Sequence, residues 1–198
     1  MERLVTYDGA EAEGPWREVA QDILTVPFWT PDFCKEVIKA SDLLNEYKPL
    51  DGDVQRNAAP GQETRFNRIS PLFAENFESH FNRRVAPIVR QHWWPLSLGK
   101  NRMPFVLKYS PDVQPSLDPH HDASMISMTI ALNDGYEGGL LTFPRQHWDS
   151  RGITVGTMVV FPGRVTHVHW VLPVTAEVRY SAAAWVVDPS TEPFDPIS

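Results

Sequence analysis

The sequence predicts an α+β protein built on a double-sheet jelly roll whose outer face is flanked by N-terminal helices. Two segments in the first half carry helix-start signals followed by apolar residues at helical spacing. Beyond Met103 the texture changes to short apolar and β-branched runs separated by Gly, Asn and Pro turns. Pro, at 18 of 198 residues, suits a loop-rich β architecture better than a helical bundle. Helices followed by many antiparallel-looking strands pack as layers around one core. This length predicts a single domain over 1–198, with an arm at 1–15, a helical region at 16–103, the jelly-roll core at 104–189 and a tail at 190–198.

Residues 1–15 are acidic, small and aperiodic, which predicts a loosely held arm. Ile23 to Phe28 is an apolar run of strand length. Thr30-Pro31-Asp32 then supplies an N-cap hydroxyl, a proline at the first helical position and an acid in the first turn. Phe33, Val37, Ile38 and Leu43 or Leu44 continue that helix to about Tyr47, with Cys34 as a core residue. A polar loop is expected over 48–63 and a strand over Thr64 to Ile69. Ser70-Pro71 opens a second helix, and Phe73, Phe77, Phe81, Val85, Ile88 and Val89 make one long apolar stripe that ends before Pro95. Strands follow at Pro104 to Ser110, His120 to Leu132, Leu140 to Phe143, Ile153 to Phe161, Val165 to Trp170 and Glu177 to Val187.

Lys+Arg 18 against Asp+Glu 25 leaves a net charge of −7, which argues against a nucleic-acid partner. No apolar window reaches the length of a signal peptide or a membrane span, so neither is expected. Cys34 is the one cysteine, which excludes an intramolecular disulfide and makes a cytoplasmic location the simplest expectation.

The chemistry centres on His120-His121-Asp122. At the start of a strand, residues two apart share a face, so His120 and Asp122 are expected to point into one space and His121 away. A neutral imidazole and a carboxylate suit a divalent first-row metal, and one more His would complete the two-His-one-carboxylate face that leaves positions open on Fe(II). His167 and His169 both qualify, on one face of the expected strand Val165 to Trp170. Arg179, ten residues beyond His169, shares a strand face with Ser181 and Ala183. A guanidinium among apolar and small residues needs an anion, best a bidentate carboxylate, and no acid adjoins it in sequence, so a ligand is the expected partner.

Lys-Tyr-Ser-Pro, Pro-His-His-Asp-Ala-Ser, Ile-Ala-Leu-Asn, the Tyr136-Glu137-Gly138-Gly139 turn, Pro162 to His169, Leu172-Pro173-Val174 and the Arg179-Tyr180 to Val187-Asp188-Pro189 ending resemble the catalytic domain of the procollagen lysyl hydroxylases. Those are Fe(II)- and 2-oxoglutarate-dependent dioxygenases with a double-stranded β-helix. The match is dense from about Phe105 to Pro189. It implies that His120, Asp122 and His169 bind iron, preferring His169 to His167, and that Arg179 holds the distal carboxylate of 2-oxoglutarate. It further places Tyr109 near the cosubstrate, while Ser181 completes an Arg-X-Ser pattern found in several 2-oxoglutarate oxygenases. The implied cofactors are Fe(II), 2-oxoglutarate and O2, with ascorbate as a candidate reductant. The implied reaction is hydroxylation of an unactivated C–H, releasing succinate and CO2; desaturation or ring closure are variants of the same chemistry.

The departures bear on substrate. Trp170 stands where the lysyl hydroxylases have Glu after the distal ligand, Gly138-Gly139-Leu140-Leu141 replaces their Gly-Gly-Gly-Cys, and no glycosyltransferase-like region precedes the domain. Collagen is therefore not the expected substrate. An amino-acid-like small molecule or peptide is. Region 16–103 is the expected substrate side, and Trp170, Arg65 and Asn67 are the candidate substrate residues. The alternative is a cupin-like metal-binding or isomerase module that does not use 2-oxoglutarate; Arg179 and Ser181 distinguish the two, because that module has no use for a carboxylate clamp.

Overall fold

The structure is a computed structural model describing residues 2–47, 63–94, 97–99 and 101–188, with 101–103 described by their backbone. The loop expected over 48–63 lies outside the described residues except for Glu63, and the tail expected over 190–198 lies outside them entirely.

The elements run α1 (Glu2–Thr6), β1 (Arg17–Ala20), β2 (Ile23–Pro27), α2 (Pro31–Leu44), β3 (Glu63–Arg65), α3 (Phe66–Ile69), α4 (Pro71–Arg84), α5 (Ala86–His92), β4 (Asn101–Tyr109), β5 (Leu117–His120), β6 (Ile126–Ala131), β7 (Glu137–Gly138), β8 (Leu141–Phe143), β9 (Trp148–Asp149), β10 (Thr157–Pro162), a 3-10 turn (Arg164–Thr166), β11 (His169–Val171), β12 (Val174–Ala176) and β13 (Arg179–Val186). Among the described residues one sheet has the order β1-β2-β10-β6-β13-β4-β3, a second β5-β11-β8-β9, and β12 pairs with β7. Every pairing is antiparallel. No helix among the described residues is long and apolar enough to cross a membrane.

Strand alternation divides the core in two. On β10, Met158 and Val160 join Phe28, Phe33, Phe73, Phe77 and Phe81 in a cluster between the large sheet and the helices. Val159 and Phe161, on the other face, join Phe143, Leu141 and Val171 of the small sheet. The large sheet is therefore apolar on both faces, with the jelly-roll interior on one side and helices on the other. Each fully buried Phe contributes about 1.5–3 kcal/mol by leaving water.

α2 starts as its sequence signals require. Thr30 Oγ1 accepts from the Phe33 amide at 3.3 Å, Pro31 occupies the first turn, and Asn45 closes the helix in a left-handed conformation with φ 49°. Asp42 ties the helix to the large sheet by accepting from Tyr180 on β13 at 2.8 Å and Lys108 on β4 at 3.0 Å.

Four local expectations are corrected. The N-terminal arm is held, because α1 buries Leu4 fully and the Tyr7 hydroxyl accepts from Trp29 Nε1 at 2.6 Å. The strand expected over Thr64 to Ile69 stops at Arg65 and becomes one helical turn, since Phe66 and Ile69, three apart, are the two residues buried. The expected long helix breaks at Val85 into α4 and α5, where Pro87 has no amide to continue the ladder. The strand expected over His120 to Leu132 is two strands, β5 and β6, in different sheets.

His80 of α4 makes the fold acid-sensitive. Its ring stacks on Phe28 at 4.0 Å, its Nδ1 meets the Tyr7 hydroxyl at 3.2 Å, and burial pushes its pKa down to about 4. Because the folded value lies below the unfolded one near 6.5, the unfolded chain takes up the proton first as pH falls. Stability is full above about pH 6.5 and declines towards pH 4, by on the order of 3 kcal/mol from this residue. Denaturant melts at pH 7 and pH 4.5 check this: His80→Phe should lose markedly less stability between them than wild type.

Candidate active site

His120, Asp122 and His169 converge, with their ligand atoms all within 4.8 Å of one another. His120 Nε2 lies 3.6 Å from Asp122 Oδ1, His169 Nε2 lies 3.8 Å from Asp122 Oδ2, and the two rings are 4.4 Å apart. The route to this geometry differs from the expected one. His120 ends β5 of the small sheet, and Asp122 sits in the segment crossing to β6 of the large sheet, so strand alternation does not pair them. His120 instead meets His169 across the β5–β11 register, where the two are directly opposed.

Asp122 is placed by a turn from elsewhere in the chain. The Arg164 amide donates to the Asp122 carbonyl at 2.6 Å and the Gly163 amide to the Met125 carbonyl at 3.0 Å. A Cβ on Gly163 would lie 2.2 Å from the Ser124 carbonyl oxygen, so the close approach requires glycine. The carboxylate is then aimed by Ser127, whose hydroxyl donates to Asp122 Oδ2 at 2.5 Å while accepting from Ser124 Oγ at 2.6 Å. All three side chains are buried.

Both imidazoles have fixed tautomers. His120 Nδ1 donates to the Asp118 carbonyl at 2.8 Å and His169 Nδ1 to the His167 carbonyl at 2.9 Å, which leaves each Nε2 lone pair facing Asp122. Burial lowers the pKa of His169, against the opposing pull of Asp122, so its ring stays neutral and able to coordinate. Phe143 stacks on it at 5.2 Å and Phe161 meets it edge-on at 4.9 Å, excluding water. Two imidazole nitrogens and one carboxylate, with ligand atoms within 4.8 Å of one another, fit Fe(II).

His167 does not join the group. The 3-10 turn breaks the strand expected over Val165 to Trp170, and buried His167 directs Nε2 to the Gln21 carbonyl at 3.4 Å. Its carbonyl nevertheless orients His169. His121 and His147 are exposed.

Arg179 opens β13 directly opposite Tyr109 on β4, with its guanidinium carbon 4.9 Å from the Tyr109 ring centre and 6.0 Å from that of Tyr136. It is 5% exposed, and Nη1 donates to Ser181 Oγ at 3.3 Å. Among the described residues no carboxylate pairs with it, and its buried Nε has no hydrogen-bond partner. A buried cation in that state calls for an anionic ligand. The guanidinium borders a cavity of about 30 Å³ between the sheets, lined also by Thr129, Tyr136, Leu141 and Ser150. Gly139, at φ +62°, passes close to the Arg179 stem, where an added Cβ would lie 2.8 Å from Arg179 Cδ.

The candidate substrate residues stand apart. Trp170 alternates with His169 on β11 and so faces away from the triad. Arg65 ends β3 opposite Phe105, 3.9 Å from Glu63 Oε1. Asn67 lies on α3, whose neighbouring Phe66 packs in the helix-side cluster. Ser124 and Ser127, within five residues of Asp122, were not recognisable because the expected continuous strand hides the crossing that brings them to its carboxylate, and Tyr136 and Gly139 because they meet Arg179 across a long stretch of chain; the Pro-His-His-Asp-Ala-Ser and Tyr-Glu-Gly-Gly motifs were the available signals.

The Ser127 hydrogen bond carries a direct expectation. Outer-sphere partners of metal ligands typically contribute 10- to 100-fold in affinity. Ser127→Ala should weaken Fe(II) binding by about that factor in an anaerobic titration, and unchanged affinity would assign Ser127 to packing alone.

Residues 105–187 match the family model described as 2OG-Fe(II) oxygenase superfamily. Procollagen-lysine,2-oxoglutarate 5-dioxygenase 1 of Rattus norvegicus is 32% identical over 175 residues, covering 83% of this chain and 24% of that protein. The chain thus spans about a quarter of the length of the curated relatives it matches. A Pseudomonas putida prolyl-4-hydroxylase structure aligns with a TM-score of 0.66 at 19% identity, covering 87% of this chain and 92% of the other. A Trichoplax adhaerens prolyl hydroxylase, solved with a hypoxia inducible factor oxygen degradation domain peptide fragment, aligns at 0.60 and 14% identity over 85% of this chain and 84% of that one.

Proposed function

We propose that this chain is a 2-oxoglutarate-dependent dioxygenase of the 2OG-Fe(II) oxygenase superfamily, whose model residues 105–187 match and whose procollagen lysyl hydroxylases it resembles, and that it hydroxylates an unactivated C–H of an amino-acid-like substrate, free or within a peptide. The balanced reaction is substrate C–H plus 2-oxoglutarate plus O2 giving substrate C–OH, succinate and CO2. The observation that supports this reading best is the coexistence of the His120, Asp122 and His169 convergence with a buried Arg179 that no carboxylate pairs with among the described residues. A cupin-like module needs the first and has no use for the second.

Bound Fe(II) would activate O2, which supplies the oxidising equivalents, with ascorbate proposed to rescue oxidised centres. The chain's own residues do the rest. His120, Asp122 and His169 would hold the metal with three of its ligands, leaving coordination capacity for cosubstrate and O2. Arg179 and Ser181 receive the distal carboxylate of 2-oxoglutarate, with the Tyr109 ring beneath the guanidinium. Phe143 and Phe161 keep water from the His169 side. The peptide option draws support from the Trichoplax complex, and the lysine-directed name of the rat relative makes lysyl peptides the first substrates to try.

The test is anaerobic addition of Fe(II) and then 2-oxoglutarate, followed by the weak visible charge-transfer band of the chelate, and then O2 with a peptide and amino-acid panel read by succinate release. A band that needs both Arg179 and His169 supports the reading. Iron binding without a band sinks it in favour of the cupin-like alternative.

A further inference from the structure

We propose that the chain carries a second divalent-cation site, formed by Glu18, Asp22 and His92 and suited to Zn(II). The proposal does not rest on the oxygenase reading. The three donors come from β1, the β1–β2 turn and the end of α5, and their ligand atoms lie within 4.8 Å of one another. His92 Nε2 is 3.7 Å from Glu18 Oε1 and 3.6 Å from Asp22 Oδ1. Those separations are too long for hydrogen bonds. They approach the edge of roughly 3.4 Å expected between N and O donors set tetrahedrally about 2.0–2.2 Å from a zinc ion.

The active-site triad shows the same donor spacing, 3.6 and 3.8 Å. Glu18 and Asp22 also bring two carboxylates together with no Lys or Arg paired to either among the described residues. Their mutual repulsion falls if a cation sits between them.

The donors are held from behind, as metal ligands usually are. Trp93 Nε1 donates to Asp22 Oδ1 at 2.7 Å, and the Asp22 amide donates to Glu18 Oε1 at 3.0 Å. Trp16 and Trp93 meet the His92 ring edge-on at 6.0 and 4.8 Å. One imidazole and two carboxylates form a borderline-hard N/O set that Zn(II) accepts, with water completing the shell. An ion here clamps the hairpin to α5. The neighbouring Gln21 carbonyl accepts from His167, which in turn orients His169, so the clamp lies on the outer support of the active site.

Zn(II) titration of tag-free protein against a chromophoric zinc chelator tests the proposal. Wild type should bind two equivalents, Asp122→Ala/His169→Ala one, and that double variant carrying His92→Ala none. Glu18→Gln/Asp22→Asn in otherwise wild-type protein should reduce two equivalents to one without relying on the triad variants to fold. The clamp should raise the Tm of Asp122→Ala/His169→Ala by about 5–10 °C at a hundredfold excess of Zn(II) over Kd, and not that of the variant lacking His92. The proposal is overturned if Glu18→Gln/Asp22→Asn binds as many equivalents as wild type, or if the equivalent kept by Asp122→Ala/His169→Ala survives His92→Ala.

Discussion

Arg179→Ala should weaken 2-oxoglutarate binding by about two to four orders of magnitude, because two hydrogen bonds to a charged group contribute about 1.5–3 kcal/mol each. The structure explains why nothing nearby can substitute. Arg179 is 5% exposed, Tyr109 and Tyr136 face it with rings, and Ser181 offers a single hydroxyl. Arg179→Lys should lose nearly as much, since an ammonium keeps the charge and not the planar fork that engages a carboxylate with two parallel bonds. Gly139→Ala should move the same way more weakly, because its Cβ would displace the Arg179 stem at Cδ. Equilibrium titration under anaerobic Fe(II) measures all three. Wild-type affinity in either Arg179 variant would remove the residue from the cosubstrate site.

Loss of a metal ligand should be the more damaging change for turnover. His169→Ala removes one of three donors and leaves Phe143 and Phe161 around a void, while Asp122→Ala removes the carboxylate that Ser127 and the Arg164 turn hold in place. Each should weaken Fe(II) by more than the 10- to 100-fold of an outer-sphere loss and drop succinate release to background. His167→Ala is the informative control. It keeps the backbone carbonyl that orients His169, so iron binding should persist with at most a modest loss. Iron affinity that falls as far in His167→Ala as in His169→Ala would mean that the ligand set is wrong.

The four residues proposed for the site stood out as candidates for a physical reason. Histidine, aspartate and arginine are expensive to bury unpaired, so each signals a partner where the flanking strand pattern predicts burial, before any fold is known. The N-cap of α2 was legible because Thr30, Pro31 and Asp32 act within one turn. Long-range placement was not. The 124–132 run alternates properly as a strand, yet nothing local shows that the chain leaves one sheet and joins the other between His120 and Ile126. Thr64 to Ile69 fits either a strand or one helical turn over so few residues, and the burial of Phe66 and Ile69 by surrounding rings decided it.

The sequence by itself determined the donor types, the sheet-forming second half and a cation without a local counter-ion, because these follow from the chemistry of single side chains and their near neighbours. Tertiary structure brings His169, which the family resemblance already preferred to His167, against the Asp122 carboxylate. By alternation they are equivalent, and the 3-10 turn at Arg164–Thr166 separates them, sending one ring to Gln21 and the other to Asp122. It also recruited Ser127 to the carboxylate, Gly163 and Arg164 to the Asp122 segment, and Gly139 to the Arg179 stem. The Gly163, Arg164 and Gly139 contacts join residues far apart along the chain, whose nearness exists only once the fold has formed, while Ser127, five residues from Asp122, reaches its carboxylate because the chain crosses from one sheet to the other between them.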